Sequence, residues 1–127
     1  MVVLSLQHDL QSKPLDSQIG ALSSWVEVDE NLARQIIMCE GGFGEVKTNV
    51  NPAYYDKRGN YHPATTDKGP LQINSIHYPE MEKNNLNPEN KTDSLIYGFY
   101  LWNKEGLKHW SASKSCWDKQ TVAYNKT

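Results

Sequence analysis

Two apolar helical patterns, each shut off by glycine, constrain the fold of this chain more than any other feature. The first follows Asp29, which reads as an N-cap, and brings Leu32, Ala33, Ile36, Ile37 and Glu40 near one face at helical spacing. Gly41-Gly42 ends it in the manner of a C-terminal glycine cap, so Glu40 falls in the last turn, on or beside the apolar stripe. The second pattern follows the Asn87-Pro88 break. Thr92 or Asp93 caps it, Leu95, Ile96, Phe99, Tyr100 and Trp102 form its apolar face, and Gly106 stops it.

Between these helices the chain changes character. Residues 43–68 are rich in Gly, Asn, Pro, Tyr and Asp and read as loop with a short hairpin that turns through Asp56-Lys57-Arg58-Gly59-Asn60. Thr65 to Ile73 is strand-like or irregular around Gly69-Pro70. A helix is expected after Asn74 or Ser75 through Met81, with Pro79 confined to its first turn. The sum is an α+β arrangement, mostly helical, with a small β-hairpin or irregular β region. At 127 residues the chain is long enough for one domain with a real core. Residues 1–24 read as an N-terminal arm or extension, broken at Lys13-Pro14, that either packs on the core or frays. Residues 25–127 form the main domain.

Composition excludes some functions. The formal net charge is -2, which advertises no polyanion-binding surface, so no nucleic-acid partner is expected. No apolar run approaches the length of a membrane span. The first nine residues lack a basic flank and meet Asp9, so they do not read as a signal peptide. Either the protein stays in the cytoplasm or a targeting segment stood ahead of Met1. His8, His62, His77 and His109 lack metal-ligand spacing and no phosphate-binding glycine loop occurs, so neither metal nor cofactor is expected. Cys39 and Cys116 are 77 residues apart. They form either one disulfide, which implies an oxidising compartment, or two buried thiols.

The chemistry concentrates at Glu40. Burial at the end of an apolar helix face disfavours a carboxylate, and the negative end of the helix dipole acts in the same direction. A Glu raised from about 4.3 to about 6 keeps its proton near neutrality and can hand it to a glycosidic oxygen. On periodicity alone, the commoner case is a Glu that rims the helix end in water. Downstream, Asp67-Lys68-Gly69-Pro70-Leu71-Gln72-Ile73-Asn74 alternates polar and apolar residues at its end. Leu71 and Ile73 face inward in that pattern, and Gln72 and Asn74 offer amides to sugar hydroxyl and acetamido groups. Asp67 is either an ionised partner of Glu40 or a cap on the local turn. Tyr54, Tyr55, Tyr61 and Tyr78 either line a sugar cleft or pack the loops, and Tyr100 is either a cleft hydroxyl or core.

Together these motifs resemble the lysozyme-like superfamily, in its bacterial lytic transglycosylase branch. Cys39-Glu40-Gly41-Gly42 matches the family's helix-terminal Glu-Ser-Gly, with Gly41 where Ser is usual. Asp67 to Asn74 is close to the animal lysozyme stretch, but its separation from Glu40 suits the bacterial branch. Tyr100-Leu101 and the Cys116-Trp117 end also match, and Ala123-Tyr124-Asn125 echoes a further family segment. The resemblance spans roughly residues 29–117.

The resemblance implies a lysozyme-like fold with a catalytic domain over 25–127, and cleavage of the β-1,4 bond between N-acetylmuramic acid and N-acetylglucosamine in peptidoglycan. Glu40 is then the general acid, Asp67 its catalytic partner, and Gln72, Asn74 and Tyr100 the substrate contacts. It also implies a Cys39–Cys116 disulfide and a secreted, periplasmic or envelope location. A non-catalytic glycan-binding module on the same scaffold is the alternative, and chitin is an alternative substrate.

Overall fold

The computed structural model describes residues 4–44 and 47–118. The order begins with three helices: α1 (Leu4–Gln11), α2 (Leu15–Trp25) and α3 (Glu30–Cys39). Five short strands follow, β1 (Thr48–Asn51), β2 (Tyr54–Tyr55), β3 (Tyr61–His62), β4 (Thr65–Lys68) and β5 (Ile73–Asn74). A 3-10 turn at Ser75–His77, α4 (Tyr78–Lys83), α5 (Lys91–Glu105) and a second 3-10 segment at Lys108–Ser113 complete the order. The architecture is α+β, as the sequence predicts. Among the described residues no helix is long and apolar enough to cross a membrane.

Helix α5 is the axis of the core. Its residues from Thr92 to Phe99, with Leu101 and Trp102, are buried. A helix covered on nearly all sides needs partners all round. Ile19 and Leu22 of α2, Ala33, Ile36 and Ile37 of α3, and Leu71, Ile73 and Met81 join it in one apolar cluster, together with Leu10 of α1. The first two helices are also tied in by polar contacts. Gln18 Nε2 donates to Leu10 O and Lys13 O at 3.0 and 2.9 Å, and Thr92 Oγ1 donates to Gln18 Oε1 at 3.1 Å.

The start of α5 corrects the predicted cap. The N-cap is Asn90, whose Oδ1 accepts the Asp93 N–H at 2.9 Å. Asp93 is occupied elsewhere: its carboxylate accepts from Gln7 Nε2 and from the Asn87 N–H, each at 2.9 Å. The other helix boundaries follow the sequence signals. Asp29 caps α3 by accepting the Leu32 N–H at 3.0 Å. Gly42, at φ 73, donates its N–H to Ile37 O at 2.7 Å and closes α3. Asn74 caps the first 3-10 turn, and Pro79 lies in the first turn of α4, which begins later than its predicted start.

Strands β1, β4 and β5 form an antiparallel sheet with β4 in the middle. The register sets Asp67 opposite Asn49 on one side and Asn74 on the other. The separate β2–β3 hairpin turns through residues 56–60, and Asp56 Oδ1 accepts the Arg58 and Asn60 N–H groups at 2.9 Å each.

Cys39 and Cys116 are bonded, which ties the last residue of α3 to the far end of the described chain. Trp110 and Trp117 seal that end, at 2% and 5% exposure. Trp110 Nε1 donates to Leu71 O at 2.8 Å, and Trp117 Nε1 donates to Trp110 O at 3.1 Å. Cross-linking across so long a loop stabilises by about 4 kcal/mol in the chain-entropy model. Replacing both Cys39 and Cys116 by Ser should therefore lower Tm by at least about 10 °C in a calorimetric scan. A fall of only a degree or two would mean that the tryptophans hold this end without the bridge.

Candidate active site

Glu40 is the residue immediately after α3, partly buried, with the disulfide on one side and Gly41 on the other. Its Oε1 accepts a hydrogen bond from Ser113 Oγ at 2.5 Å. Its carbonyl accepts from Lys47 Nζ at 3.4 Å. Burial pushes the Glu40 carboxyl above the ordinary glutamate range. The Ser113 donor opposes that shift, the negative charge of Asp67 adds to it, and the Lys47 ammonium opposes it, with burial prevailing. A carboxylic acid that holds its proton beyond the usual range, at a partly open position, is equipped for proton donation.

Asp67 sits in the central strand and is held at both oxygens. Oδ1 accepts from Asn74 Nδ2 at 2.8 Å and Oδ2 from Asn51 Nδ2 at 2.9 Å. Both amides also donate to Thr65 Oγ1 at 3.2 Å. Asp67 therefore braces three strands through side-chain amides, not turn N–H groups, and lies close enough to Glu40 for its charge to act there.

Gln72 and Asn74, assigned to substrate by their alternation, are engaged within the protein. Asn74 Oδ1 accepts the Ile76 N–H at 3.1 Å, and its amide serves Asp67 and Thr65. Gln72 Nε2 donates to Lys47 O and Gly69 O at 3.0 Å each, and its Oε1 accepts from Asn49 Nδ2 at 2.5 Å. Gln72 reaches these partners from a left-handed backbone at φ 50, a conformation that costs a non-glycine residue about 1 kcal/mol or more. The structure thus places Asp67, Gln72 and Asn74 on one set of loops and strands, with the Asn74 amide on the Asp67 carboxylate and the Gln72 amide on the Lys47 and Gly69 backbone.

Tyr100 lies in different company. It lines a cavity of about 300 Å³ with Trp25, Val26, Glu27 and Asn103. Its ring stands 5.6 Å from Tyr97 and 5.7 Å from Lys104 Nζ. Tyr54, Tyr55 and Tyr61 are exposed on the β2–β3 hairpin, with Tyr54 stacked on His62 at 4.6 Å. Tyr78 is partly buried and donates its hydroxyl to Ile73 O at 3.3 Å. Ala123, Tyr124 and Asn125 lie outside the described residues. Among the described residues no group of three His, Cys, Asp or Glu side chains could hold a metal ion.

Sequence reasoning missed Ser113, Asn51 and Lys47. The first is 73 residues from its partner, and nothing local marks it. Asn51 has a weak signal, since a polar side chain on a strand beside a carboxylate strand is a natural cross-strand partner.

Gly41 has a steric reason to lack a side chain. Its N–H donates to Pro70 O at 3.0 Å, and a Cβ here would stand 1.9 Å from Gly69 O and 2.8 Å from Pro70 Cα. Both obstacles are backbone. Gly41→Ala should cost roughly 2–3 kcal/mol, at the upper end of overpacking penalties, in a urea titration. A neutral result would show that the 69–70 loop yields. Compared with family models, curated protein sequences and solved structures, the chain gives no match in any of the three.

Proposed function

We propose that this chain cleaves the glycan strand of peptidoglycan on a lysozyme-like scaffold, with Glu40 as general acid and then general base. One observation carries the reading: a partly buried carboxyl just after α3, raised by burial and by the Asp67 charge, and hydrogen-bonded among the described residues through Oε1 alone. The Cys39–Cys116 bridge is the pairing that the motif resemblance implies, and it suits an enzyme working in an oxidising compartment outside the cytoplasm.

In this mechanism protonated Glu40 delivers its proton to the β-1,4 glycosidic oxygen as the bond to the muramic acid anomeric carbon breaks. Positive charge grows on the ring, and Asp67, whose charge acts on Glu40, is the carboxylate we assign to favour it. Glu40, now ionised, takes the proton from the attacking hydroxyl. Both Asp67 oxygens are already held by amides, which suits an electrostatic role better than attack on carbon. We therefore favour the one-carboxylate route, in which the muramic 6-hydroxyl attacks and a 1,6-anhydro product leaves.

The test is release of soluble fragments from purified peptidoglycan, read by mass spectrometry. Wild type should release anhydro-ended fragments, and Glu40→Gln should be at least about a hundredfold slower. The active form carries the proton on Glu40, whose affinity for it is raised. Cleavage should therefore persist above the pH at which ordinary glutamates ionise and fall as pH rises through the Glu40 titration. Reducing ends would assign water as the nucleophile. Binding without release, or equal rates for the two proteins, would contradict the proposal and favour a glycan-binding module.

A further inference from the structure

The Ser113 hydroxyl has two acceptors and one hydrogen. Its Oγ lies 2.5 Å from Glu40 Oε1 and 3.2 Å from Trp110 O. A serine donates one hydrogen bond at a time, so the two contacts cannot both be donations. The Trp110 carbonyl does not depend on Ser113, because Trp117 Nε1 donates to it at 3.1 Å. Glu40 Oε1 has no other hydrogen-bond partner among the described residues, and Oε2 has none there at all. The hydrogen is therefore best placed toward Oε1. The separation is that of a short O–H···O bond.

We propose that Ser113 is a positioning residue for Glu40: it fixes Oε1 as the accepting oxygen, so that the transferable proton rides on Oε2. This rests on the reading of Glu40 as the acid. With Glu40 protonated, Oε1 is the carbonyl-like oxygen and accepts from Ser113, while Oε2 carries the proton. After transfer the carboxylate keeps the same bond, now charge-assisted, so the side chain need not turn over between its acid and base roles. The hydroxyl itself is held in place from two sides. Trp110, three residues earlier, is locked to Leu71 by its indole, and Cys116, three residues later, is bonded to the residue before Glu40.

The test compares wild type, Ser113→Ala and Ser113→Thr by two readouts. One is the carbon-detected NMR titration of the Glu40 side-chain carboxyl, which needs no activity. The other is the pH profile of fragment release. The Ser113 donor favours the charged carboxylate, so its loss should move the Glu40 titration and the alkaline limb of the profile to higher pH. Ser113→Ala should also lower kcat roughly tenfold, the scale of one hydrogen bond to a charged group, with KM little changed. Ser113→Thr keeps a hydroxyl and should restore the wild-type midpoint. A purely structural serine would alter stability and leave the midpoint where it was. An unmoved Glu40 titration in Ser113→Ala overturns the proposal. A wild type that releases nothing overturns the cleavage reading instead, and the titration tells the two failures apart.

Discussion

The covalent tie between Cys39 and Cys116 brings together the end of α3 and the end of the described chain, and the candidate site is built where they meet. Without it, Glu40 would follow the last residue of the ten-residue α3 with Gly41 and Gly42 next in the chain. The bridge sets the Lys108–Ser113 segment beside that helix end, and the Trp110 indole fixes the same segment to Leu71. Leu71 lies within the stretch that carries Asp67 and Asn74. One covalent bond and one indole hydrogen bond thus connect the carboxyl, its hydroxyl donor and the strand that holds the second carboxylate. The indole hydrogen bond joins two buried residues, Trp110 and Leu71.

Electrostatics at the site follow from unequal solvation of two carboxyls. Glu40 accepts one described hydrogen bond and is partly buried, so its charged form is poorly supported. Asp67 receives an amide at each oxygen. The two carboxyls thus sit in different surroundings, one partly buried with a single hydrogen bond among the described residues and one held by an amide at each oxygen. The amides of Gln72 and Asn74 contribute by holding the strands and the Asp67 carboxylate in place.

Local signals gave the elements that local physics determines. The apolar period through Ile36 and Ile37 and the glycines after Glu40 place that carboxyl at a helix end, because periodicity and positive-φ glycine act within a few residues. The 56–60 turn was equally legible from Asp, Gly and Asn. Partners far along the chain were not. The cap of α5 is Asn90 because Asp93 is claimed by Gln7, a residue from the opposite end of the sequence. Alternation at Gln72 and Asn74 indicated polar positions, but it carries no information about what the amides bond, and both bond within the protein. Ser113 is one serine among several in a polar stretch, and its meaning comes from the fold alone.

Everything proposed for the site requires that Glu40 hold its proton above the range where exposed glutamates lose it. Infrared difference spectra of wild type against Glu40→Gln, taken from acid to mildly alkaline pH, observe that proton directly through the carboxylic C=O stretch. A carboxylic band, missing from the Gln variant, should survive after the ordinary carboxyls, near pH 4.3, have ionised. Loss of that band together with the bulk carboxyls would contradict that requirement.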